Sequence, residues 1–401
     1  MSEKNMSFSS SLEIAVKKPD ELIDILLPYI KDLNKKQLDD LVDVLDSANV
    51  AAKQSVANLF INHLDSSVVE HLVSKLDTSR PVLFMEIASI LAQTECKKAF
   101  VPLKEAVNIK YPDLILPSIR AISMLPASAE SDKFLQNFLL EFDSEIHLSA
   151  SIRYLLARKE VLVDGLIKEY PNLDADRKMW ILKFLAETGS LKPLGLYSSE
   201  LQRAALERGL YCINGLGSIE KDESAQILIK HLNHPEWFLR KRIVEALGQT
   251  GRAIAIKPLI EALNDESMQV RSAAVESLSK VGQLAPETLI DNLSKSERRV
   301  KINLIRVMGQ LKNAEFVRPL IGILRDRDAL FFSIDALGDS GGKQACKALE
   351  RFLNDEIWFN RLNALEALAK LSAENLNQLA TKALQDENDM VRNTAARILA
   401  N

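Results

Sequence analysis

From residue 237 onward the chain repeats one arrangement of apolar and polar positions. Trp237–Leu247 places apolar side chains three and four apart, a polar turn follows, and Ile256–Leu263 resumes the same spacing. A helix buried along one side requires this spacing. The pattern returns at Val270–Leu278 with Leu289–Leu293, at Val300–Met308 with Arg318–Leu324, and at Ala329–Leu337 with Leu349–Leu353. It returns again at Trp358–Leu368 and opens once more at Val391. Aligning the basic position of each copy gives Arg240, Arg271, Lys301, Leu330, Arg361 and Arg392, in steps of 31, 30, 29, 31 and 31 residues. A period near thirty accommodates one helical hairpin, with helices of about ten to fourteen residues and two short turns.

The turn residues fit that frame. Gly248, Gly251, Gly282, Gly309 and Gly338 fall where each first helix stops, and are read as left-handed caps. Pro258 and Pro319 fall early in second helices, where a missing N–H costs least. Upstream the copies diverge, yet Pro81–Leu91 with Phe100–Val107, Leu116–Leu125, Leu148–Leu156 and Asp176–Leu185 keep the two-helix form. Leu194–Glu200 is the weakest segment and is read as a bend. The expected organisation is a disordered 1–11, diverged repeats over 12–200, and regular repeats over 201–401 continuous with the first half. The predicted fold is all-α: a right-handed α-solenoid superhelix of about twelve hairpins, first helices on the convex face and second helices on the concave one. The chain stops at Asn401, after the first helix of its last copy, which leaves a capping helix and a cut chain equally open.

These residues resemble the HEAT-like repeats of the bilin-lyase type, most clearly over 201–401. His234-Pro-Glu-Trp-Phe-Leu-Arg240 follows that consensus with His in place of Asp, and Asp265 to Arg271, Asp355 to Arg361 and Asp386 to Arg392 keep its spacing of six. The resemblance implies that these Asp and Arg residues form a structural ladder between neighbouring repeats. It also implies an alternative role, a lyase or chaperone placing a linear tetrapyrrole on an antenna protein.

Composition narrows the class. Gly numbers 14 and Pro 13 in 401 residues, and aromatic residues make up 6% against 47% apolar, so aliphatic side chains must fill the interior, as helix packing favours. Formal net charge is −4, so no general basic field draws the chain to nucleic acid or acidic lipid. Cys96, Cys212 and Cys346 are widely spaced and odd in number, which suits a reducing compartment. With no secretory-type N-terminus and no long apolar run, the expectation is a cytoplasmic chain without membrane insertion.

Catalytic signatures are missing from the sequence. Five histidines form no His-Glu-x-x-His motif, no phosphate-binding glycine loop occurs, and Gly338-Asp-Ser-Gly-Gly342 occupies an ordinary turn. No cofactor or metal site is assigned, and a non-enzyme is expected. The candidate partner-binding residues are Phe331, Phe332, Arg240, Arg242 and Arg299. Phe331 and Phe332 stand where other copies carry Lys241-Arg242 or Asn393-Thr394, in the repeat whose ladder position is Leu330. Failures of two local rules in one repeat mark strain or function. Trp237 and Trp358 are read as packing residues. The basic residues are interleaved with Glu236, Glu245, Glu266, Glu276 and Glu297, so a nucleic-acid stripe ranks below a protein or peptide partner. Long repeat surfaces hold such partners, which makes a scaffold or adaptor the expected function.

Overall fold

The computed structural model describes residues 7–400 apart from 48, 64, 94–95 and 204–205. All regular structure among the described residues is helical, without a strand. Two compact units are formed, residues 1–188 and 189–401.

In the first unit, local signals start the helices. Asn34 and Gln37 form a reciprocal capping box before Lys35–Leu45, Asp65 accepts two backbone N–H bonds ahead of Ser66–Ser74, and prolines open Pro81–Leu91 and Pro112–Met124. The last two pack side by side, and Glu145–Leu155 lies against Pro112–Met124, so the diverged copies stack as the pattern predicts. Buried Arg158 ties neighbouring turns together by donating to the carbonyls of Ser123 and Leu125 and to Asp132. The disorder expected for 1–11 is corrected in part. Residues 1–6 lie outside the described residues, but Ser7 caps a helix Phe8–Lys17 that buries Phe8 and Leu12.

In the second unit the first helices are Trp237–Gln249, Met268–Val281, Arg298–Leu311, Leu330–Ser340, Trp358–Lys370 and Asp389–Ala400. Second helices Ile256–Ala262, Pro286–Lys295, Val317–Ile323, Lys343–Glu350 and Leu376–Ala383 alternate with them. One repeat position, occupied by Leu247, Leu278, Met308, Leu337 and Leu368, is fully buried in the first five of these copies, and only its counterpart Leu399 in the last is exposed. Burying each such side chain contributes about 1.5–3 kcal/mol. The bend read at Leu194–Glu200 is a helix, Leu194–Arg203, turned inward by fully buried Tyr197.

The glycines do something other than expected. Gly251 alone among the five has a positive φ, +63°. Gly248, Gly309 and Gly338 are helical and sit where two first helices touch. A Cβ on Gly248 would lie 2.9 Å from the Ser277 Cα, and one on Gly309 or Gly338 would lie 3.0 Å from the Cα of Ala336 or Ala367. Consecutive second helices, by contrast, pack less closely on one another than the first helices do. Unequal spacing bends a stack toward its closer row, so the first helices take the inner side of this unit, opposite to the expectation.

Candidate interaction groove

The first helices are fixed by an ion-pair ladder that also determines which arginines remain free. Four of the five inter-repeat turns carry an aspartate whose Oδ1 accepts a backbone N–H two residues on: Asp265 from Ser267, Asp326 from Asp328, Asp355 from Ile357, Asp386 from Asn388; the turn before Arg298–Leu311 has none. An arginine of the preceding repeat then grips the same carboxylate with two N–H groups. Arg240 lies 2.8 and 3.0 Å from Asp265, and Arg361 lies 2.8 Å from both oxygens of Asp386. Lys301 reaches Asp326 with a single 2.8 Å contact. Arg271 and Arg392 donate instead to carbonyls at the starts of their own helices, the former to Asp265 and Glu266 and the latter to Asp386 and Glu387. Leu330 cannot reach Asp355, which accepts from Asn360 Nδ2 in its place.

Electrostatics follow the contacts. Burial acts to raise the Asp265 carboxyl, but the Arg240 hydrogen bond and the Ser267 N–H outweigh it and hold the group below its ordinary value. The Arg361 hydrogen bond holds the Asp386 carboxyl low, and that of Lys301 does so for Asp326. Arg240 is therefore withdrawn from the partner-binding candidates: it is 8% exposed and bound to the half-buried Asp265 carboxylate. Arg242 is exposed but engaged, donating to Glu245 and to Asn214.

Arg299, Phe331 and Phe332 converge. They line a groove of about 670 Å³ across the first helices Met268–Val281, Arg298–Leu311 and Leu330–Ser340. Phe331, 38% exposed, stacks on Phe359 of the next repeat at 5.4 Å between centroids and meets Phe332 edge-on at 5.1 Å. The Arg306 guanidinium lies 5.1 Å over the Phe332 ring, a cation–π contact. Asp335 and Asp339 also line the groove, and the Lys370 ammonium spans them at 2.7 and 3.1 Å. Trp237 and Trp358 are 43% and 39% exposed and meet Phe238 and Phe359 edge-on, while Met268 lines the groove. The sequence reading missed Arg306 and Phe359. The signal for Arg306 was present, because the aligned position reads Glu245, Glu276, Arg306, Asp335, Glu366 and Arg397.

Among the described residues no three His, Cys, Asp or Glu gather as metal ligands, and no helix is long and apolar enough to cross a membrane. Burial pushes the Cys212 thiol up, with Glu200 nearby adding to it, so it is a poor nucleophile.

Comparison with known proteins agrees with this geometry. The profile of HEAT repeats matches residues 210–279, 225–294 and 286–369. By sequence the chain is similar to phycocyanobilin lyase subunit alpha of Picosynechococcus sp., 29% identical over 136 residues, which make up 34% of this chain and 45% of that one. Among solved structures, the karyopherin Kap121p bound to the extreme C-terminus of the protein phosphatase Cdc14p covers 97% of this chain and 52% of its own, with TM-score 0.53 and 13% identity. Kap95p, in a structure concerned with RanGDP, covers 99% and 67% respectively, with TM-score 0.52 and 11% identity. At such identities the structural likeness shows the fold alone. The sequence match spans about half the length of the lyase subunit, and the chain about half that of Kap121p. Residues 210–369 are HEAT repeats, carried by an all-helical chain of the karyopherin-like HEAT fold with a distant match to a bilin lyase subunit.

Proposed function

We propose that this chain is a non-catalytic adaptor that holds a protein or peptide partner on the inner face of residues 237–401, in a cytoplasmic setting. One observation carries the reading: the groove on the first helices presents aromatic rings beside two arginines, Arg299 and Arg306, that have no carboxylate partner among the described residues. Exposed aromatic and arginine side chains together supply most of the energy of protein interfaces. The similar karyopherin Kap121p holds protein partners, the extreme C-terminus of the protein phosphatase Cdc14p in one structure and Ste12p in another, which supports the reading. Affinity capture from the native organism tests the proposal with the Phe331→Ser/Phe332→Ser chain as control. Loss of the captured partner with the helical circular dichroism intact supports it. Equal capture by both chains removes the groove from the account.

A second reading rests on the match to a phycocyanobilin lyase subunit: a linear tetrapyrrole stacked on the groove's rings, its carboxylates on the arginines. Co-expression with bilin synthesis separates the two. Visible absorbance retained by the purified chain favours the tetrapyrrole, and a colourless chain favours the adaptor.

A further inference from the structure

We infer that the groove's partner is an acidic peptide segment in which carboxylates flank an aromatic or large apolar side chain. The inference rests on the adaptor reading and specifies its chemistry. The decisive feature is a change of sign at one repeat position. Where neighbouring first helices carry Glu245, Glu276, Asp335 and Glu366, the helix Arg298–Leu311 carries Arg306. Arg397 has the same position in the last repeat, and it reaches back to Glu366 at 3.1 Å, an ordinary pairing between adjacent helices. Arg306 leaves the corresponding Glu276 alone and lies over Phe332, 5.1 Å from the ring centroid. Phe332 thus diverts the guanidinium from its neighbour and leaves its N–H groups facing the groove.

Arg299, about two helical turns earlier on the same helix, lines the groove and has no carboxylate partner among the described residues. Lys370 bridges Asp335 and Asp339 and cancels one of their two charges. Glu276 is the groove's unpaired carboxylate. With Arg271 on the same wall, four cations (Arg271, Arg299, Arg306 and Lys370) face three carboxylates (Glu276, Asp335 and Asp339), so the groove carries one net positive charge in a chain whose formal net charge is −4. Two free guanidiniums with an aromatic pair beside them complement separated carboxylates around one ring, each arginine able to take a carboxylate with two N–H groups. A nucleic-acid strand fits less well, since its continuous phosphates want an unbroken row of cations, whereas the groove offers two separate free guanidiniums. A basic segment would face both free arginines.

Fluorescence anisotropy with the full chain tests this, using synthetic peptides of equal length: Glu/Asp-rich around one Phe, Lys/Arg-rich around one Phe, and Glu/Asp-rich with Ala in place of Phe. A single-stranded oligonucleotide is the fourth probe. The acidic Phe peptide is expected to bind tightest, by on the order of tenfold over its Ala counterpart. Glu276→Gln should strengthen that binding, and Phe332→Ala should weaken it by releasing Arg306 toward Glu276. Arg299→Glu/Arg306→Glu should abolish it and turn the preference toward the basic peptide; both positions are exposed, so folding is spared. Preference of the wild-type chain for the basic peptide or the oligonucleotide overturns the inference, as does acidic binding indifferent to the charge reversal. So does failure of all four probes. If these results accompany a native partner captured through the groove, the charge assignment fails and the adaptor reading survives; if capture also ignores the groove, both fail.

Discussion

The Arg361 guanidinium and the Asp386 carboxylate show how one pair of residues joins two repeats. Both side chains are nearly buried, 8% and 9% exposed, and the carboxylate also accepts the Asn388 N–H. Removing one member strands the other charge away from water. Asp386→Ala is expected to lower stability by about 3 kcal/mol, measured by urea unfolding, whereas a surface pair such as Lys343 with Glu374 should be near neutral. The same carboxylates set the acid limit. An aspartate held below its ordinary value in the folded chain adds stability that is fully present above its unfolded pKa, about 4, and is lost as pH falls through the folded value. Asp265, Asp326 and Asp386 all carry that sign. Unfolding measured from neutral to strongly acidic pH should show stability falling below about 4, and Asp386→Asn should flatten that fall.

At the scale of the helix, two glycine positions of the repeat have different physical duties. The helical one is a place of contact: at Gly338 a Cβ would meet the Ala367 Cα at 3.0 Å. Gly338→Ala is therefore expected to destabilise by about 1–3 kcal/mol through overpacking, although alanine is the better helix former. The turn position three residues later is left-handed where Gly251, Lys312 and Ser372 occupy it, with φ of +63°, +51° and +49°. Lys312→Gly should relieve the strained backbone and gain up to about 1 kcal/mol in thermal unfolding. Periodicity made the helices legible, because a thirty-residue spacing of Arg240, Arg271 and Arg361 has few physical causes. It did not make the glycines legible. A glycine near a helix end looks the same in sequence whether it turns the chain or admits a neighbour, and only the position of the adjacent helix decides. For the same reason the inner and outer rows were exchanged, since a hairpin pattern carries no sign of curvature.

At the scale of the molecule, function depends on what the ladder consumes and what it leaves. Arg240 and Arg242 resembled Arg299 in sequence, but Asp265 and Glu245 engage the first two and leave the third facing the groove. The Phe331 and Phe332 anomaly was readable, because it broke a repeated position. Arg306 required comparing one column of six copies, where an acidic position changes sign. Binding in this groove through a few separated ion pairs should weaken only gently with salt, unlike the steep dependence of a phosphate backbone. The most direct measurement is photo-crosslinking in the native organism from a reactive amino acid placed at Phe331 on the inner face, against the same group at exposed Lys347 on a second helix. The account expects one protein partner crosslinked from position 331 and not from 347. Crosslinking from 347 alone, or from both alike, would contradict it.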